Sequence, residues 1–206
     1  MNEHQIETKE DLAELYGEAN DLVKAKVVPA LDDAMKDFIA KASLVFIATV
    51  DANGNPDVSP KGDPAGFVLV ENNALIHIPD RPGNKLIFGF NNLIDNPAIG
   101  VIFVVPNSRE TLRIKGKAVL TKDPELLAKL TAAGKPALLA TSVAIEECFF
   151  HCGKAMIRSK TWSPEDWIDS GKSHIAKSIA KKMNGDSELE DIVEAELEKS
   201  YRDNLY

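Results

Sequence analysis

The sequence predicts a mainly β protein with helical additions (α+β class), its strands forming a small antiparallel barrel. Two observations carry this. From Leu44 to Cys152, strand-length runs rich in β-branched residues follow one another, mostly across short Gly, Asn and Pro turns, which favours hairpin pairing over a parallel sheet. Apolar residues at the 3.6-residue helical period lie before, between and after those runs. The length, 206 residues, suffices for one full core with helical extensions and is tight for two independent domains. The expected divisions are an N-terminal helical extension (1–42), a barrel core (43–162) and a C-terminal helical segment packing on it (163–206).

Thr8 to Asp11 forms a capping-box-like start, and Leu12, Leu15, Tyr16, Ala19, Leu22 and Val23 then hold one helical face, so a surface helix packed on a neighbour is expected. Pro29 interrupts. Leu31, Ala34, Met35, Phe38 and Ile39 resume a helical stripe. LVFIATV from Leu44, the turn around Asn53-Gly54, and the extended run from Pro56 to Pro60 read as a hairpin. The polar loop Lys61-Gly62-Asp63-Pro64 leads into a second hairpin, Phe67–Val70 and Leu75–Ile78, turning at Asn72-Asn73.

Next comes IHIPDRPGNKLIFGFNNLIDNP, from Ile76 to Pro97: a strand, a Gly/Pro turn with two cations, and a helix. Leu86, Ile87, Phe90, Leu93 and Ile94 recur as one buried helical face, and Asn96-Pro97 ends it. Gly83 lets the backbone approach a ligand, unpaired first-turn N–H groups face outward, and Arg81 and Lys85 add charge where the helix dipole favours an anion. A phosphate-holding turn and a helix start flanked by two solvated cations both fit this stretch, which has neither a P-loop nor a G-x-G-x-x-G pattern. Beyond it, Gly100–Val105 and Glu110–Thr121 are strands, the second alternating Leu112 and Ile114 with Arg113, Lys115 and Lys117. A helix from Asp123-Pro124 runs towards Gly134, Ala144–Cys152 is a strand, and helices continue from about Pro164.

Composition excludes several classes. A formal net charge of −8 argues against a nucleic-acid partner or an anionic membrane surface. No apolar run approaches a membrane span, and the polar start MNEHQIETKEDL carries no secretory signal, so a cytoplasmic protein is expected. Cys148 and Cys152, four apart in a strand, would share a face too far apart to bridge, and free thiols are expected. A metal site with His151 needs a further ligand, and the odd spacing sends His151 to the opposite face. No hydrolase elbow, H-E-x-x-H motif or acidic Mg²⁺ cluster is present, and the cysteines sit in an apolar run that keeps thiols protonated. A phosphate turn without a nucleophile or general base points to a bound phosphorylated cofactor that carries the reaction itself.

The ordered set FIATVDANGNPDVSPKGDP, IHIPDRPGNKL, DNPAIGVIFVVP, ETLRIKGKAVL and HCGKAMIRSKTW resembles the pyridoxamine 5′-phosphate oxidase-related FMN-binding proteins, over about residues 40 to 165. It is most similar to the flavin-nucleotide-binding branch whose turn reads close to IPDRPGN. The resemblance implies a split β-barrel, a homodimer with FMN at the subunit interface, and flavin-dependent redox chemistry on a small molecule. It implies that Arg81, Gly83, Asn84 and Lys85 form the phosphate turn, and that Thr111 and Arg113, with Gly116 behind them, meet the flavin. Ser59, Pro60, Lys61 and Gly62 would line the isoalloxazine ring, and a cation such as Lys61 or Arg113 near its N1/C2 edge would stabilise the reduced anion. Lys154, Arg158, Ser159 and Trp162 would border the site from the second subunit. The tail NGDSELEDIVEAELEKSYRDNLY departs from the C-terminal segment of true pyridoxamine 5′-phosphate oxidases, whose Trp and Arg hold the pyridoxal phosphate, so vitamin B6 chemistry is not expected. A non-catalytic flavin store or sensor, or a haem or F420 binder on the same fold, is the alternative.

Overall fold

Burial alternates along the first strand, β1 (Leu44–Val50), where Val45, Ile47 and Thr49 face inward while Phe46 and Ala48 face outward. The computed structural model describes residues 4–169 and 171–206. Before β1, α1 (Lys9–Tyr16) starts on the expected capping box at Thr8, and Gly17 ends it at φ 68°. The single helix expected through Val23 is therefore two, with α2 (Asp21–Ala25) after the break, and neither buries a residue. The stripe is amphipathic, but its Leu12, Leu15, Tyr16, Leu22 and Val23 are exposed among the described residues. α3 (Asp33–Lys41) does bury its stripe, with Leu31, Met35 and Ile39 in the core.

β2 (Pro56–Gly62) returns along β1 through a turn that Asp51 organises by accepting from the Asn53 and Asn55 N–H groups. β3 (Leu69–Asn72) and β4 (Leu75–Asp80) form the second hairpin. α4 (Phe88–Asp95), β5 (Ala98–Val104), β6 (Thr111–Thr121), α5 (Pro124–Lys129) and β7 (Leu139–His151) follow. β7 begins five residues before the expected Ala144 and ends before Cys152, so Cys152 is exposed beyond the strand while Cys148 is buried in it. α6 (Lys154–Arg158), which the sequence reading missed, precedes a 3₁₀ turn, α7 (His174–Lys182) and α8 (Ser187–Asp203).

The strands form one seven-stranded antiparallel sheet in the order β2-β1-β5-β6-β7-β4-β3. It is open: β2 and β3 are its edges. The core fills its concave side, where Val45, Val101, Phe103, Leu112 and Ile114 meet α3 and Leu93 of α4. At Gly116 a register shift lets β6 and β7 close together, and a Cβ there would lie 2.0 Å from the Ala144 carbonyl oxygen. β4 covers only the first half of β7. Beside the second half, Val28 exchanges two backbone hydrogen bonds with Cys148.

Candidate functional site

Where the end of β2 comes opposite the end of β4, the sheet leaves a gap that α4 and the turn before it line. The cavity there measures about 650 Å³, within the range of small-molecule and cofactor sites. Alternation on the edge strand β2 turns Asp57, Ser59 and Lys61 to this side, level with Thr49, Ile47 and Val45 of β1. Pro60 has no cost on an edge strand, whose outer N–H positions need no partner. Thr49 is buried and accepts a hydrogen bond from Asn92 Nδ2 at 3.0 Å. A Cβ on Gly89 would sit 3.3 Å from Asp57 Oδ2, so a glycine lets α4 lie close against β2.

Of the predicted residues, Ser59, Pro60, Lys61, Gly62, Arg81, Gly83, Asn84 and Lys85 all line this cavity. Two cations arrive already paired. Lys61 Nζ lies 2.5 Å from Asp80 Oδ1 and 4.7 Å from the centre of the Phe90 ring. Arg81 Nε donates to Asp63 Oδ2 at 2.7 Å, and its Nη2 donates to the Leu130 carbonyl at 2.8 Å. The Asp63 side chain is 1% exposed and that of Arg81 14%, so the carboxylate is buried and its cation largely so. Tyr206 completes it, donating its phenol to Asp63 Oδ1 at 2.7 Å. Arg81 Nη1 is left buried with no hydrogen-bond partner, the one such side-chain atom among the described residues.

The turn departs from expectation in its geometry. α4 begins at Phe88, not directly after Gly83, because Asn84 Oδ1 accepts from Leu86 N and Lys85 takes a left-handed φ of 63°. The helical face predicted from Leu86 is consequently interrupted: Leu93 is buried, whereas Leu86, Ile87 and Ile94 are exposed. No side chain caps α4, and Lys85 is exposed at its approach. Gly83 leaves the turn open, since a Cβ there would meet nothing.

The other predicted residues lie elsewhere in the chain. Thr111 and Arg113 are on the opposite face of the sheet, in rows that read Gly62–Leu44–Val104–Thr111–His151 and Pro60–Phe46–Ile102–Arg113–Phe149. There Arg113 and Lys26 stand 5.8 and 5.5 Å from the Phe149 ring centre, with the His151 ring 4.9 Å from Phe149. Burial, then the charges of Arg113 and Lys26, hold the His151 imidazole below its ordinary value. This face is apolar and open, with Phe46 and Ile102 each 38% exposed. Lys154, Arg158 and Ser159 are exposed on and just after α6. Trp162 donates Nε1 to the Ser108 carbonyl at 2.6 Å and lines a separate cavity of about 280 Å³ with Arg109 and Lys160.

Sequence reasoning missed Thr49, Asp57, Asp80 and Tyr206; Asp63 it names only as a polar strand-end residue beside Ser59 and Lys61, without its partners. The alternation Asp57-x-Ser59-x-Lys61 held a signal for Asp57; Tyr206 had none. Burial pushes the Cys148 thiol up, away from nucleophilic use. Among the described residues no three His, Cys, Asp or Glu side chains converge on a metal-sized site. The cavity is lined by Arg81, whose Nη1 is buried without a partner, by an exposed lysine and by a glycine turn, beside an apolar wall, a set of residues suited to a phosphate monoester.

Residues 31–152 match the family profile of pyridoxamine 5′-phosphate oxidase. No curated protein matches the chain. Among solved structures it is similar to HupZ of Group A Streptococcus, at 20% identity over 58% of this chain and 93% of that one, with a TM-score of 0.48. It is similar to an FMN-binding protein of Syntrophomonas wolfei, at 12% over 56% and 86%, TM-score 0.41. HutZ, the heme storage protein of Vibrio cholerae, aligns at 18% over 59% and 94%, TM-score 0.42.

Proposed function

The chain belongs to the pyridoxamine 5′-phosphate oxidase family, and from that premise we propose that it is an FMN-binding flavoprotein acting as an oxidoreductase on a small molecule. The observation that carries the reading is Arg81 Nη1, a buried donor without an acceptor at a cavity that Lys85 also lines. A phosphate oxygen would satisfy it. Arg81 and Lys85 would hold the phosphate, each charge-assisted bond worth about 1.5–3 kcal/mol. Ser59 to Gly62 would border the ring, and Leu93, Phe90 and Leu138 would exclude water from it. FMN, when bound, supplies two-electron redox chemistry. Lys61, tied to Asp80, keeps its ammonium fixed at the β2 end of the cavity.

The functional unit we infer is a homodimer. The face carrying Phe46, Ile102 and Val58 is exposed in one chain, and it also carries Arg113 and Thr111. A second copy seated there would bring Thr111 and Arg113, together with the segment from Lys154 to Trp162, to its own cavity. The free thiols support a cytoplasmic setting, and no helix among the described residues is long and apolar enough to cross a membrane.

Purified protein should show flavin absorbance, or gain it with added FMN; a colourless protein that takes up none refutes the reading. Cofactor extraction with mass spectrometry separates FMN from haem and F420. Lys85→Ala should weaken FMN binding about tenfold without loss of fold. Consumption of NADH or NADPH under air above background marks an enzyme, and background alone a flavin store.

A further inference from the structure

We propose that Tyr206 is a positioning residue for Arg81 and so sets the cavity's preference for a phosphorylated over an unphosphorylated flavin; the inference rests on the phosphate reading above. After α8 ends at Asp203, the chain returns to the core and Tyr206 is held at both ends. Its phenol donates to Asp63 Oδ1 at 2.7 Å, and its main-chain oxygen accepts from Lys135 Nζ at 2.7 Å.

The consequence is read at the guanidinium. An arginine and a carboxylate left to themselves adopt a paired geometry with two parallel N–H···O bonds. Here the phenol donates to Asp63 Oδ1, and Arg81 Nη2 donates to the Leu130 carbonyl. Asp63 accepts from Nε alone, and the phenol and the carbonyl compete with the two-bond pairing. The plane of the guanidinium is fixed on one side by a carboxylate and on the other by a carbonyl, and Nη1 is the corner left over. The phenol also draws part of the Asp63 charge to itself, which leaves more of the Arg81 charge for an incoming anion. Without the phenol, Oδ1 of a carboxylate that is 1% exposed loses its donor, and the nearest replacement is the same guanidinium, turned towards Asp63.

The bond persists at neutral pH, because hydrogen bonding to Asp63 holds the Tyr206 phenol above its ordinary value and keeps its proton in place. Coupling of this kind is reciprocal: a phosphate on Arg81 must also favour the docked position of Tyr206. A tyrosine that merely pins α8 to the core would affect every ligand of the cavity alike.

The experiment titrates FMN and riboflavin separately into the wild-type chain and into Tyr206→Phe, following flavin fluorescence. Riboflavin carries the same ring without the phosphate. The expected result is an about fivefold loss of FMN affinity in Tyr206→Phe, with riboflavin affinity unchanged. Equal losses for both ligands, or no loss for FMN, would overturn the positioning role. A wild-type chain that binds FMN no tighter than riboflavin would refute the phosphate reading itself, a result visible before any variant is made, and the role of Tyr206 would fall with it. Hydrogen exchange on the unaltered protein gives the second measurement. Residues 204–206 should exchange more slowly with FMN than with riboflavin bound, and equal exchange would count against the coupling.

Discussion

Replacing Arg81 by Ala tests the buried ion pair before it tests any ligand. The substitution leaves the Asp63 carboxylate, 1% exposed, without its cation, and leaves the Leu130 carbonyl without its donor. Breaking one side of a buried pair costs about 3–5 kcal/mol, because the remaining charge stays desolvated. Arg81 keeps 14% exposure and Tyr206 still donates to Asp63, so the lower end, about 3 kcal/mol, is expected. With a urea slope of about 2 kcal/mol per molar, the unfolding midpoint should fall by about 1.5 M. Adding Asp63→Asn removes the stranded charge, and the double variant should recover about 2 kcal/mol of the loss. A single variant that loses under about 1 kcal/mol, or a double variant no more stable than the single, would refute the reasoning. Binding assays on Arg81→Ala accordingly belong at low temperature, where the weakened fold still holds.

Gly116→Ala should destabilise by about 3 kcal/mol, read as a drop in thermal midpoint, since the new methyl would meet the Ala144 carbonyl oxygen at 2.0 Å and the β6–β7 ladder cannot part to admit it. Stability should also fall with acid through His77. Burial depresses its imidazole below the ordinary 6.5, against the pull of Glu71, and its Nδ1 pairs with Ser142 at 2.8 Å. The stability it contributes is present above that ordinary value and is lost as pH falls through its folded value, so His77→Phe should flatten the urea midpoint between about pH 7 and pH 5. Ile102→Asp, on the open sheet face, should give a folded monomer by circular dichroism and light scattering; an unchanged assembly would move the interface elsewhere.

The features that were legible in the sequence are those whose signal is local. Alternation in β1 and the capping box at Thr8 appear as written, and eight residues assigned by resemblance line one cavity. The start of α4 was misplaced because an Asn84 side chain satisfies Leu86 N and a left-handed Lys85 breaks the helix that the apolar spacing implied. Arg113 shows the limit of strand reading: alternation tells which residues share a face, but which face meets the cavity is decided by how the whole sheet curls. Asp63, Arg81 and Tyr206 come together across 143 positions, a contact that no local pattern announces.

The two hydrogen bonds between Val28 and Cys148 have a bearing on solubility. Where β4 stops pairing with β7, the remainder of β7 would present free N–H and C=O groups, the kind of edge along which chains add to one another. Val28 occupies that edge. Val28 of the N-terminal extension thus guards against edge-to-edge association, and shortening the chain to its barrel core should leave β7 prone to stacking.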